Sequence, residues 1–214
     1  MTRLRWICLC VAVVLMLSGC NPTESANPAG ETEPTKLNSE LICLEISRFT
    51  GGFVEDGTDR AVQDVAAILV RNDTGKFLDL ATVTYKVGSR TATFRITGLP
   101  AGAQAWVLEA DAMTLVPEDK LVFDKCQATY NANPMLATND LAVSREGNAL
   151  TVRNVSGRSL KNVCVYYKNH LEDGTFLGGI TYMMSFGDIE PGASVTKGSG
   201  HLGSNSEIVR YSYQ

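Results

Sequence analysis

From Leu41 onward, apolar residues fall on alternate positions in short runs. Ile42, Leu44 and Ile46 form one such set, Ala92, Phe94 and Ile96 another, Leu150 and Val152 a third, and Val163, Val165 and Tyr167 a fourth. A period of two, in segments rich in Val, Ile, Thr and Tyr, is the signature of strands with one buried face. No stretch after residue 40 sustains the i, i+3, i+4, i+7 spacing of an amphipathic helix over three turns. The run Arg60 to Val70 (RAVQDVAAILV) could start as a helix, but its unbroken apolar second half and β-branched end predict a strand buried on both faces.

The pattern occurs twice. Val70 to Lys86 reads VRNDTGKFLDLATVTYK and Val152 to Lys168 reads VRNVSGRSLKNVCVYYK, with eight identities in seventeen positions at an offset of 82. Leu99-Pro100-Ala101-Gly102-Ala103 then matches Ile189-Glu190-Pro191-Gly192-Ala193 at an offset of 90, so the second copy carries eight extra residues, placed near Glu172 to Gly179. In each copy, Asn72 or Asn154 can bond the backbone two residues on, and Gly75 or Gly157 is expected to supply a positive φ for the turn. Tyr85 and Tyr167 are in phase with inward valines, and the Pro-Gly sets mark a later turn. Six or seven short strands in 75 to 90 residues argue for an all-β fold of two tandem immunoglobulin-like β-sandwich modules, residues 40–130 and 138–214.

Ahead of the strands the chemistry changes. Arg3 and Arg5 precede a twelve-residue apolar run, Trp6 to Leu17, too short for a bilayer core needing about 20 residues but matched to the core of a signal peptide. Leu17-Ser18-Gly19-Cys20 resembles the bacterial lipobox. That resemblance implies a signal peptide over residues 1–19 and an acylated Cys20 heading the mature chain. Several acyl chains on one residue, each burying about 0.8 kcal/mol per CH₂, hold a protein on a membrane without spanning it. Asn21 to Ser39 has three prolines and almost nothing apolar, so residues 20–39 are expected to form a disordered tether.

Charge narrows the function. The chain has 19 Lys and Arg against 23 Asp and Glu, a formal charge of −4; loss of Arg3 and Arg5 with the signal would leave 195 residues at −6. An acidic body argues against nucleic acid as a partner. Two histidines, His170 and His201, offer little for general acid-base work or a zinc site, and with Cys164 they match no standard ligand spacing. The Glu-Asp-Gly-Thr sets at Glu55 to Thr58 and Glu172 to Thr175 lack the alternating carboxylates of a calcium loop and read as turns. No nucleophile elbow, phosphate loop or His-Glu-x-x-His occurs, and Ser185 and Ser206 have no histidine at a recognisable spacing. Neither a cofactor nor an enzymatic activity is expected.

The strand, Asn-x-(Ser/Thr)-Gly turn, strand and Pro-Gly turn of residues 62–107 and 148–198 resemble the FxLYD-like immunoglobulin sandwiches found in tandem on bacterial surface lipoproteins. No literal F-x-L-Y-D string occurs here. The resemblance implies an extracytoplasmic, non-enzymatic module and transfers no catalytic residue.

Three cysteines lie in the strands. Cys43 lies in the first strand of the first module and Cys126 in its last, and since edge strands of a sandwich can be neighbours, either a Cys43–Cys126 disulfide or three reduced thiols fits the sequence. Trp106, Tyr166, Tyr211 and Tyr213 are the aromatic candidates for binding. The leading function is a lipid-anchored module on the outer face of the cell membrane that engages an envelope protein or glycan. An accessory or ligand-sensing subunit of a membrane complex is the second, and a metal binder or small hydrolase in the second module the third.

Overall fold

A computed structural model describes residues 34–52 and 61–214. The signal segment, Cys20 and most of the tether lie outside these residues, as does the first Glu-Asp-Gly-Thr set. Every regular element described is a strand, so the protein is all-β, built of packed sandwiches.

A short strand β1 (Thr35–Lys36) precedes the first set of six: β2 (Leu41–Gly52), β3 (Ala61–Asn72), β4 (Phe77–Val87), β5 (Arg90–Leu99), β6 (Gln104–Leu108) and β7 (Val122–Asn131). The second set is β8 (Leu141–Glu146), β9 (Ala149–Asn154), β10 (Leu160–His170), β11 (Phe176–Ile189), β12 (Ser194–Gly198) and β13 (Ser206–Ser212). In the first set β2-β3-β6 packs on β5-β4-β7; in the second β8-β9-β12 packs on β11-β10-β13. The scheme is the same strand for strand, so the sequence repeat is also a repeat of pairing. Even the registers agree: Leu41 opposes Asn72 and Leu141 opposes Asn154, while Val83 opposes Cys126 and Val165 opposes Tyr211.

Alternation explains the cores. Val83, Tyr85, Phe94 and Ile96 are at most 1% exposed in the first, and Val152, Val163, Val165 and Tyr167 in the second. The repeated asparagines are the polar exceptions. Asn72 Nδ2 donates to the carbonyls of Lys76, Leu99 and Pro100, and Asn154 Nδ2 to those of Arg158 and Ile189. Each thereby ties its own turn to the Pro-Gly turn on the next hairpin, whose glycines, Gly102 and Gly192, donate back to the carbonyls of Asn72 and Asn154. Both asparagines are fully buried.

Three expectations are corrected. Gly75 and Gly157 do not adopt a positive φ; the turns are closed instead by Thr74 and Ser156, whose hydroxyls accept from the amides of Lys76 and Arg158. The tether ends earlier than its composition suggests: β1 pairs with β2, Leu37 is 5% exposed, and Asn38 Oδ1 accepts from the amides of Glu40 and Leu41 at 2.7 and 2.6 Å. A single aliphatic residue and one Asx turn suffice to order a polar segment once an open strand edge is available. Finally, Cys43 and Cys126 are free thiols. They stand on opposite sheets, where the Cys43 thiol donates to its own strand at the Glu45 carbonyl and the Cys126 sulfur accepts from Asn38 Nδ2.

The two sandwiches are not beads on a string. Strand β6 pairs in parallel with the start of β11, Ala105 against Phe176 and Trp106 against Leu177, so that β1-β2-β3-β6-β11-β10-β13 form one seven-stranded sheet. The pairing segment comes from the eight extra residues of the second copy, which lengthen the turn after β10 and the start of β11 relative to the β4–β5 turn and β5. The turn itself is made as expected of Asp-Gly, with Gly174 at φ +84° and the Thr175 amide donating to Asp173 Oδ1. Phe176 at its end is 3% exposed and packs into the core of the first sandwich, as does Val209 of β13.

Candidate functional site

The extra length of β11 brings its backbone against β5, and two glycines allow the approach. A Cβ on Gly179 would lie 1.9 Å from the Arg95 carbonyl oxygen; a Cβ on Gly98, at φ +58°, would lie 2.3 Å from Thr181 Oγ1. Over this contact Thr181 Oγ1 donates to the Thr97 carbonyl at 2.7 Å. Lys168, wholly buried, donates from Nζ to the carbonyls of Thr97, Gly179 and Ile180 at 3.2, 3.3 and 2.6 Å. An ammonium out of water is tolerated only with such a cage of acceptors. Its counterpart in the first copy, Lys86, is exposed and reaches Thr91 and Asp124.

Beside this seam the two modules enclose a cleft of about 400 Å³, lined from the first by Phe77, Asp79, Thr97 and Gly98 and from the second by Tyr166, Thr181 and Arg210. Arg210 dominates it. The guanidinium carbon sits 4.3 Å from the Tyr166 ring centre and 5.8 Å from that of Phe77, and Nη1 donates to Asp79 Oδ1 at 3.1 Å. Two rings and a carboxylate therefore hold a planar, permanently charged fork in one orientation. The Thr97 and Thr181 hydroxyls, 3.2 Å apart, add acceptors and donors. The combination of a fixed guanidinium, a carboxylate, hydroxyls and aromatic edges suits a small polar ligand with several hydrogen-bonding groups.

Of the four aromatic candidates, Tyr166 lies in this cleft. Trp106 is half-buried on β6 between Leu69 and Leu177, packed in a small cluster with Val65, Ala67 and Leu108. Tyr211 packs against the second core, where burial pushes its phenol above the ordinary value. The Tyr213 hydroxyl meets Thr138 Oγ1 and Asp140 Oδ2, with Arg158 over its ring. Arg210 and Asp79 carried no readable signal: nothing in the chain marks two charged residues 131 positions apart as partners.

Cys164, His170 and His201 do not converge. His201 stacks on Tyr182, centroids 4.9 Å apart, and Tyr182 stacks on Tyr167 at 5.3 Å; Cys164 pairs with Ser185 and Ser212 further along β10. Among the described residues no three His, Cys, Asp or Glu side chains gather as a metal site. Among the described residues Ser185 and Ser206 have no histidine partner: the Ser206 hydroxyl donates to Asn169 Oδ1 and accepts from the Gly203 amide, and the Ser185 carbonyl accepts from Lys197. No helix among the described residues is long and apolar enough to cross a membrane.

No known protein family matches the chain, and no curated protein does. Among solved structures, the C-terminal globular domain of an oligosaccharyltransferase from Pyrococcus abyssi is similar at 13% identity with a TM-score of 0.16, over 75% of this chain and 44% of that one. The chain thus spans less than half the length of that neighbour, and a likeness of this degree carries no argument about fold or function.

Proposed function

We propose that this chain is a lipid-anchored lipoprotein on the extracytoplasmic face of the cell membrane, acting there as a non-enzymatic binding or envelope-structural module. The observation that carries the binding role is the cleft at the module seam. It is built from both copies, and its one cation, Arg210, is oriented in advance by Tyr166, Phe77 and Asp79. Preorganisation of this kind lowers the ordering cost that a ligand must overcome. The anchor is supported by the basic residues, short apolar run and Leu17-Ser18-Gly19-Cys20 of the sequence.

Two experiments test the reading. Cells expressing the chain and fed an alkyne-bearing fatty acid should yield a labelled protein in the membrane fraction, and Cys20→Ala should lose both label and membrane. An unlabelled Cys20 would remove the anchor. Chemical crosslinking of intact cells should capture an envelope protein or glycan on the chain, and capture that survives Arg210→Met unchanged would remove the cleft as the site.

A further inference from the structure

The two copies differ at one edge, and the difference identifies an acceptor site. In the first copy the outer edge of β2 is covered: β1 pairs with it antiparallel, Thr35 against Cys43 and Lys36 against Ile42, and the next residue, Leu37, is buried in the core. The first copy also has a long β6–β7 connection, which bonds both β3 and β5. That connection adds Leu115 to the core and runs beside β3, the Ala66 amide donating to the Met113 carbonyl and the Leu115 amide to that of Asp64.

In the second copy the matching edge belongs to β8, where Val143 occupies the position of Cys43, since both stand two residues after the leucine opposite the repeated asparagine. Among the described residues β8 is the last strand of its sheet. Residues equivalent to β1 do not cover it: Met135, a hundred positions after Thr35, bonds β13 of the other sheet by accepting from the Tyr211 amide. The β12–β13 connection is short, residues 199–205, and contributes Leu202 alone to the core. β8 and β9 span six residues each where β2 and β3 span twelve. What remains between β8 and β13 is a slot of about 350 Å³ with an apolar lining of Val143, Leu150, Tyr167, Leu202 and Ile208. Its rim is polar, and Arg145 fixes one end by donating to the carbonyls of Gly203, Ser204 and Ser206.

We propose that β8 and this slot are a docking site for an extended peptide segment of a partner protein, which adds an antiparallel strand to β8 and buries an aliphatic side chain in the slot. The first copy displays the occupied arrangement within one chain, with β1 as the added strand and Leu37 as the buried side chain. Main-chain hydrogen bonds along an open edge supply affinity, and the pocket beneath supplies the preference for an aliphatic residue. This site is distinct from the seam cleft and does not depend on the reading of that cleft.

The test uses the full chain in detergent micelles and a synthetic peptide copying Pro34 to Ser39, read by residue-resolved amide hydrogen exchange. Added peptide should slow exchange in β8 at least tenfold and leave β2 unchanged, because β1 already holds that edge at high effective concentration. The peptide with Leu37→Asp should give no protection. Leu202→Phe, which fills the slot, should weaken binding at least tenfold while the circular dichroism spectrum stays that of the folded protein. No protection of β8 at millimolar peptide, equal protection by the Asp peptide, or undiminished binding to a folded Leu202→Phe protein would each overturn the proposal. Concentration-dependent protection of β8 in the absence of peptide, with a dimer in sedimentation, would overturn it in favour of a second copy as the occupant.

Discussion

Gly179→Ala is the sharpest perturbation of the module seam. The added Cβ would sit 1.9 Å from the Arg95 carbonyl oxygen and 2.8 Å from Val107 Cγ1, and the first of these is backbone that cannot turn aside. Restoring a contact of ordinary length near 3.4 Å requires β11 and β5 to part by more than 1 Å. That separation breaks the 2.7 Å bond from Thr181 Oγ1 to the Thr97 carbonyl and the 3.2 Å bond from Lys168 Nζ to the same oxygen. A neutral bond contributes about 1 kcal/mol and one from a buried cation about 1.5–3 kcal/mol, so the variant should lose about 2.5–4 kcal/mol. For a chain of this size that is a fall of roughly 5–16 °C in thermal midpoint. Urea unfolding followed by circular dichroism and by Trp106 fluorescence measures it, since Trp106 stands on the strand paired with β11. Gly157→Ala is the control: nothing lies within 4 Å of its Cβ and its φ is not positive, so it should be neutral or gain a few tenths of a kcal/mol. A Gly179→Ala loss below 1 kcal/mol would show that the close approach at the seam contributes nothing to stability.

Other outcomes follow from the same geometry. Phe176→Ala should cost about 3–5 kcal/mol and destabilise the first sandwich, although the residue belongs to the second, because its ring is 3% exposed in the first core; separate unfolding of the two modules in the parent protein would contradict this. Asn154→Ala strands the carbonyls of Arg158 and Ile189 and should cost about 2–4 kcal/mol by urea titration, with Asn72→Ala at least as damaging. Burial pushes the Cys126 thiol up to about 11 from 9.0, so at pH 8 its thiolate fraction falls roughly a hundredfold. Mass spectrometry after brief iodoacetamide treatment of the folded protein should find Cys126 alkylated correspondingly slowly, and fast labelling would mean that the interior opens there.

How far the sequence reaches is best seen residue by residue. Strand positions were legible because a period of two is imposed by one-sided burial, and β3, apolar on both faces, was recognisable from its β-branched end. The repeat was legible because Asn72 and Asn154 do the same buried work twice, and buried hydrogen bonding constrains a residue more tightly than surface chemistry does. The turn glycines were misjudged for the opposite reason: Gly75 and Gly157 recur in an obvious turn, yet the hydroxyls of Thr74 and Ser156 make the closure and the glycines merely sit in open space. The Cys43–Cys126 pairing was inferred from strand adjacency alone, and adjacency across a sandwich fixes neither the separation nor the direction of two Cβ vectors. The seam cleft was beyond reach, since Asp79 and Arg210 meet only after β11 docks on β6.

That docking shows how an insertion turns a duplication into one body. With hairpins of equal length, β10 and β11 would end where β4 and β5 do, the edge of β6 would stay open, and Lys168 would lie in solvent like Lys86. The longer hairpin instead sends Phe176 into the other core and carries Lys168 into a place where three carbonyls must compensate its charge. Loss of one of those acceptors weakens the compensation of a buried ammonium, so closure of the seam and burial of Lys168 favour each other. The same pressure explains why glycine occupies 98 and 179, since each backbone must come closer than a Cβ permits before Lys168 can reach all its partners. Rigidity at the seam is therefore a condition for the cleft beside it: Arg210 keeps its position between Tyr166 of one module and Phe77 of the other only while the two sheets cannot slide.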